Sequence, residues 1–313
     1  MKGGHAMSVL PIISLAQLIE RQLHALKQLK TACVDDGFFY LTEHGLSPVL
    51  IERYLSTAQA FFALPEHVKQ QFGHAHQIGN PKTARGYVGA HGETLHPAAG
   101  PDNKQHLAWG IDRPGGAAFA GPSLLPGNLI APGLNQCAYA LQHEVMTGLF
   151  PDLRHAIAIA LDIPLHTFEK HFQRPTLIQR ASHYPAGTGT AGKHTDNGFL
   201  TVLIQQFLPQ PSLRIHTRGQ WRDVPCLEGA VLINLGDMLQ RWTNGQLVST
   251  AHQVLHRQAG TRTSLAFFIY PDIDANITPL DGGPVFTTKE VMLNNFDSIW
   301  IRKQGAGRAR QLV

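Results

Sequence analysis

Between Leu177 and Tyr270 the chain divides into seven short runs, LIQRASHYP, FLTVLIQQ, LRIHT, WRDVP, AVLINLGDML, STAHQVL and RTSLAFFIYP. Each is rich in β-branched, aromatic and aliphatic residues, and turn residues punctuate them. Regular short strands of this kind indicate a β-sandwich or jelly roll. Upstream the period changes. Ser14 caps a helical stripe of Leu15, Leu18, Ile19, Leu23, Leu26 and Leu29, and Gly37 leads into a short buried strand, Phe38-Phe39-Tyr40-Leu41. Pro48, at a first helical position, opens a helix through Ile51, Tyr54, Leu55 and Phe61-Phe62 that stops at Leu64-Pro65. Asn135 to Leu161 is amphipathic, one helix or two with a break at Pro151, and a short helix is expected over His166 to Phe172. Residues 73–133, dense in Gly, Pro and His, read as a long functional loop region or a set of short strands. The expected class is α+β with a mainly β core, a jelly roll flanked by N-terminal and central helices.

Within the β-rich part, RASHYPAGTGTAGKHTDNGFLTVL contains His194-Thr195-Asp196. On an extended strand His194 and Asp196 point to one face and Thr195 to the other. A second imidazole, for which His252 is the candidate, completes a two-histidine, one-carboxylate face that leaves open positions on non-haem iron(II). A His-x-Asp tripeptide is expected about 0.7 times by chance in a chain with 18 His, so its surroundings have to decide. STAHQVL and TRTSLAFFIYP read as adjacent strands, and Arg262 and Ser264, at i and i+2, share a face. A planar guanidinium fork beside a hydroxyl makes a carboxylate clamp. Arg180-Ala181-Ser182 is a second Arg-x-Ser, but only the pair at 262 and 264 closely follows a candidate metal histidine. His74-x-His76 and His91-Gly92-Glu93 lack strand flanks and read as ordinary loop residues, and His143 and His155 as helix-surface residues.

The ordered set Tyr184, His194-Thr195-Asp196, His252 and Arg262-Thr263-Ser264 resembles the isopenicillin N synthase-like branch of the iron(II)- and 2-oxoglutarate-dependent dioxygenases. LPIISL (10–15), DGFFYLTEHGL (36–46), RGYVGAHGET and PDNKQHLAWGID are similar to segments of the same branch. That resemblance implies a double-stranded β-helix with iron(II) on His194, Asp196 and His252. It implies 2-oxoglutarate as co-substrate, its C5 carboxylate on Arg262 beside Ser264, Tyr184 near it, and dioxygen as oxidant. The expected reaction is hydroxylation or desaturation of an aliphatic carbon of a small metabolite, with release of succinate and carbon dioxide. Related halogenases have a small residue where this chain has Asp196, which argues against halogenation. Substrate contacts are expected from Tyr87 and Trp109 in the 85–110 loop, from Phe199, from Ser182 and from the segment after Pro271. Two alternatives stand beside this: a 2-oxoglutarate-independent oxidase like isopenicillin N synthase, which also uses an Arg-x-Ser pair, and a non-catalytic metal-binding jelly-roll sensor.

A single oxygenase domain is expected over 9–300, comprising an N-terminal helical and loop region (9–134), helices (135–176), the jelly-roll core with the iron site (177–271) and a C-terminal cover (272–300). Residues 1–8 are expected to be a disordered start or an added extension, and 301–313 a basic tail. With 43% hydrophobic and 15% charged residues the composition is that of a soluble globular enzyme. The net charge of +4 is scattered rather than gathered in a stripe, which excludes a nucleic-acid reading and leaves a small-molecule partner. Cys33, Cys137 and Cys226 show no zinc or CxxC spacing and read as reduced thiols. No apolar run approaches the ~20 residues of a membrane helix, so the expected location is cytoplasmic, with the oligomeric state left open.

Overall fold

The computed structural model describes residues 10–73, 84–114, 118–296 and 299. The chain opens with β1 (Ile12–Ser14), α1 (Leu15–Ile19) and α2 (Leu23–Asp35). Ser14 caps α1, its Oγ accepting the Gln17 N–H at 3.1 Å. The single N-terminal helix expected from the stripe is thus two, because Arg21 sits at φ +55° and turns the chain. The turn leaves Ile19 and Leu23 exposed while Leu15, Leu18, Ala25 and Leu29 stay buried. Next come β2 (Phe38–Thr42), α3 (Pro48–Phe62, capped by Ser47), α4 (Glu66–Lys69), β3 (Gly86–Val88) and β4 (Gln105–Gly110).

α5 (Leu134–Glu144) continues through a π-helical turn, Val145–Leu149, into α6 (Phe150–Ala160). Pro151 therefore does not break the helix. It sits in the first turn of α6, directly after the wider π turn, where the looser ladder accommodates a residue without an N–H. α7 (His166–Glu169) precedes the β-rich part: β5 (Pro175–Tyr184), β6 (Gly189–His194), β7 (Leu200–Gln205), β8 (Leu213–Thr217), β9 (Gln220–Val224), β10 (Val231–Leu235), α8 (Asp237–Trp242), β11 (His252–His256), β12 (Arg262–Asp272), β13 (Asn276–Ile277) and β14 (Phe286–Thr287). AVLINLGDML is only half strand, since Gly236 ends β10 and α8 begins.

The strands form a large sheet in the order β1-β2-β10-β7-β12-β5-β4-β3 and a smaller one, β6-β11-β8-β9. The N-terminal region, expected to be mainly helix and loop, thus contributes four strands to the large sheet. β11 and β12 are not neighbours. The turn over 257–261 carries the chain from one sheet to the other, so β11 lies between β6 and β8, and β12 between β7 and β5.

Period-two alternation then assigns each strand of the large sheet two faces. Leu265, Phe267 and Ile269 of β12 and Leu177 of β5 join Leu29, Phe61, Leu141 and Ile157 from the helices in the larger core. Each such side chain contributes roughly 1.5–3 kcal/mol of burial. The opposite face of the same strands looks between the sheets. There a second, smaller core of Phe38, Tyr40, Tyr184, Leu213, Ile215 and Val254 leaves room for a cavity. Among the described residues no helix is long and apolar enough to cross a membrane, and the three cysteines are free thiols.

Candidate active site

β6 and β11 run antiparallel, and their register sets His194 directly opposite His252. The two rings face the same side, with centroids 4.2 Å apart. Asp196 is not on the strand, as simple alternation had it. β6 ends at His194, and Asp196 is turned inward by tertiary contacts: its carbonyl accepts the Asp237 N–H at 2.7 Å, and Thr195 Oγ1 donates to Asp237 Oδ2 at 2.9 Å. That docking needs a glycine at 236. A Cβ on Gly236 would lie 2.1 Å from the Gly198 carbonyl oxygen.

Asp196 Oδ1 lies 3.9 Å from His194 Nε2 and 3.8 Å from His252 Nε2. One ligand atom from each residue falls within 4.8 Å of the others, a cluster suited to a single metal ion. Asp196 Oδ2 is occupied differently, accepting Thr201 Oγ1 at 2.6 Å and Asn234 Nδ2 at 2.7 Å. The Nδ1 atoms of His194 and His252 face the carbonyls of Gly192 (2.7 Å) and Thr250 (3.1 Å). A carbonyl only accepts, so each Nδ1 carries the proton and each Nε2 presents its lone pair on the side of Asp196 Oδ1. Burial, with the His252 ring beside it, pushes His194 down to about 3, so it is neutral and ready to ligate. Burial alone would favour the neutral acid at Asp196; the pull toward a lower value comes from His252 and His194 only while they carry protons, and with both rings neutral it rests on the hydrogen bonds from Thr201 and Asn234. Two neutral nitrogens and one carboxylate oxygen are the donor set that suits iron(II).

The same cavity holds the clamp. Register places Arg262 opposite Tyr184, and Ser264 opposite both Ser182 and Gln205. Arg262 is 1% exposed. Its Nη2 donates to Gln205 Oε1 at 2.9 Å, its Nη1 to Ser264 Oγ at 3.3 Å, and its guanidinium lies 4.8 Å over the Tyr184 ring. His194, Asp196, His252, Arg262, Ser264, Tyr184 and Ser182 all line this inner cavity, and Lys104 and Arg180 join them. A second, outer cavity opens from His194, Asp196 and Asn197 toward Phe119, Ile178, Met292 and Phe296.

Three expected substrate residues are elsewhere. Tyr87 is 2% exposed, its hydroxyl bound to Glu66 at 2.9 Å and Gln105 at 2.7 Å and its ring against Phe61. Trp109 is 0% exposed; it pairs with Gln179 on the helix-facing side of β5 and packs on Tyr54. Phe199, also 0% exposed, lies among Phe150, Phe168, Phe172 and Trp242. All three rings face the helices, so they are core residues. Glu93, read as an ordinary loop residue, is buried with Lys104 Nζ at 2.8 Å and Arg180 at 3.5 Å. Burial opposes its ionisation, but Lys104, Arg180 and His106 hold it well below the carboxylate range. His74 and His76 lie outside the described residues, as do 1–8 and 301–313.

Arg180, noted in the sequence only as part of a second Arg-x-Ser, and several other cavity residues were not assigned to the site from the sequence. Arg180 could have been found by counting back in twos from Tyr184 and Ser182, and Phe268 and Tyr270 by counting on from Arg262 and Ser264. Tyr270 reaches the site through its hydroxyl, which donates to Asn197 Oδ1 at 2.7 Å. Nothing local marks Asn234 or Thr201. They meet Asp196 only because β10 pairs with β7, which sets the two residues opposite each other.

Residues 10–128 match the family described as non-haem dioxygenase in morphine synthesis N-terminal, and residues 175–271 match the 2OG-Fe(II) oxygenase superfamily. A 2-oxoglutarate-dependent dioxygenase of Aspergillus niger is 29% identical over 260 residues, 79% of this chain and 78% of its own length. A putative 2OG-Fe(II) oxygenase family protein of Caulobacter crescentus superposes with a TM-score of 0.79 at 25% identity, covering 93% of this chain and 99% of its own. A full-length Neurospora crassa protein, solved in complex with alpha-KG, gives the same TM-score at 22% identity, covering 92% and 95%. The shared fold is that of the double-stranded β-helix oxygenases.

Proposed function

The chain belongs to the iron(II)- and 2-oxoglutarate-dependent dioxygenases, and we propose that it hydroxylates or desaturates an aliphatic carbon of a small metabolite. His194, Asp196 and His252 hold the iron, and Arg262 with Ser264 holds the far carboxylate of 2-oxoglutarate. The observation behind these roles is the state of Arg262. A guanidinium 1% exposed, with only neutral groups as its described partners, is a buried cation awaiting an anion. Leaving a charge buried and unpaired costs several kcal/mol, and the distal carboxylate of a dicarboxylic co-substrate in the same cavity removes that cost.

With iron(II) and 2-oxoglutarate bound, dioxygen would be the oxidant: one oxygen atom would go into the decarboxylation of 2-oxoglutarate to succinate and carbon dioxide, and the other would oxidise the substrate, ending in an alcohol or, with an alkene formed, in water. The chain positions and shields this chemistry. His194, Asp196 and His252 would hold the iron with three protein donors, a set small enough to leave room for co-substrate and dioxygen. Ser264 limits the rotation of the Arg262 fork, and Phe38, edge-on to His252 at 5.4 Å, gives the inner cavity an apolar wall together with Leu213 and Val254. The outer cavity, reached past His194 and Asn197, receives the substrate. Ser182 belongs to the inner cavity and is placed to contact the co-substrate rather than the substrate.

Anaerobic addition of iron(II) and 2-oxoglutarate tests the reading: a visible metal-to-ligand charge-transfer band is expected, absent in His252→Ala. Substrate-stimulated succinate release then separates a 2-oxoglutarate enzyme from an oxidase that draws all its electrons from substrate. Turnover without succinate, or no charge-transfer band, refutes the assignment.

A further inference from the structure

We propose that the substrate of the outer cavity is a small carboxylic acid with an apolar body, and that Arg180 is the residue that holds its carboxylate. The proposal rests on the oxygenase reading above and names the substrate class for the same site.

Arg180 lines both the inner and the outer cavity, as His194 and Asp196 do, so it stands at the border between co-substrate and substrate. Its place follows from alternation on β5, where Arg180, Ser182 and Tyr184 share the inward face. The side chain is 18% exposed, with the guanidinium 5.4 Å over the Phe268 ring. One end is tethered: Nη1 lies 3.5 Å from Glu93 Oε1. Glu93 is a shared partner, because Lys104 Nζ approaches its other oxygen at 2.8 Å. The tether therefore orients the guanidinium more than it consumes its donors. Arg180 Nε has no hydrogen-bond partner among the described residues.

A planar fork with free N–H donors is complementary to a carboxylate, which accepts two parallel bonds. Arg262 already serves the co-substrate end of the inner cavity, which leaves Arg180 for the molecule on the outer side. Phe119, Ile178, Met292 and Phe296 give the outer cavity much of its apolar wall, and Asn197 and Asn295 supply amides. An apolar body with one anionic end fits such a wall. Because Arg180, His194 and Asp196 border both cavities, a carboxylate held by Arg180 would place the apolar body of the substrate beside the metal ligands.

The test uses full-length protein loaded anaerobically with iron(II) and 2-oxoglutarate, titrated calorimetrically with 3-phenylpropanoate and octanoate, each against its primary amide. At least one acid is expected to bind tenfold or more tightly than its amide. Arg180→Gln should erase that preference by weakening the acid at least tenfold and the amide less than threefold, and Arg180→Lys should restore part of it. Acids and amides that bind alike to the wild type, or no binding by either acid, overturn the proposal whatever the variants do. If Arg180→Gln weakens 2-oxoglutarate, read from the charge-transfer band, as much as it weakens the acid, the guanidinium belongs to the co-substrate's C1 carboxylate and the proposal also falls. A wild-type protein without that band refutes the oxygenase reading itself. A wild type that chelates 2-oxoglutarate yet ignores the acid–amide difference refutes only the substrate class.

Discussion

Replacing Asn234 by Ala removes one of the two hydrogen bonds that hold Asp196 Oδ2 away from the metal position. The Asn234 amide donates at 2.7 Å and the Thr201 hydroxyl at 2.6 Å, and the two residues are cross-strand partners on β10 and β7. A hydrogen bond to a charged group contributes about 1.5–3 kcal/mol. The carboxylate is needed ionised and correctly rotated for metal binding, so most of that loss should appear in iron affinity. At about 1.4 kcal/mol per tenfold, the expected weakening is roughly ten- to hundredfold, the range typical of groups that orient metal ligands. The assay is an anaerobic iron(II) titration at saturating 2-oxoglutarate, following the charge-transfer band, with thermal unfolding of the iron-free protein as a check on folding. Thr201→Val, close in shape, should act similarly. The double variant should depart from additivity by roughly 0.5–3 kcal/mol, since either donor alone can fix the carboxylate. If both single variants fold and bind iron within threefold of the wild type, Asp196 is not oriented through these bonds.

Arg262→Ala should weaken 2-oxoglutarate by roughly 2–5 kcal/mol, with Arg262→Lys recovering only part because it lacks the fork; unchanged affinity for the co-substrate would place the clamp elsewhere. Phe199→Ala should cost about 3–5 kcal/mol in chemical denaturation, as expected for a ring buried among Phe150, Phe168 and Trp242. A fully stable Phe199→Ala with altered substrate KM would return that residue to the substrate site. His183, stacked on Phe62 with ring centroids 5.1 Å apart, is pushed down from 6.5 to about 4 by burial and then by the charge of Lys69. The unfolded chain therefore binds a proton between those values that the folded one does not. Its contribution to stability is present above pH 6.5 and is lost as pH falls from 6.5 toward 4. Denaturation midpoints across that window should fall more steeply for the wild type than for His183→Gln, and parallel slopes would contradict the assignment.

Strand faces and short-range spacing were legible in the sequence because they depend on local geometry alone. Arg262 and Ser264 share a face by alternation, and the punctuated β runs together with His194 and His252 marked a jelly roll with a metal site. The chain could not announce its pairings. His194 meets His252 through the β6–β11 register, and β11 and β12, consecutive in sequence, part into different sheets at the turn over 257–261. Asp196 reaches the site by docking on Asp237 rather than by continuing the strand, and Asn234 and Thr201 find it only through β10–β7 pairing. Tyr87, Trp109 and Phe199 were misplaced for a related reason. An aromatic ring near a loop or strand end buries equally well against helices or in a cavity, and both faces of the large sheet are covered. Which face meets the helices and which encloses the cavity depends on how the helices and the small sheet pack against it, contacts between residues far apart in the chain that no local pattern encodes.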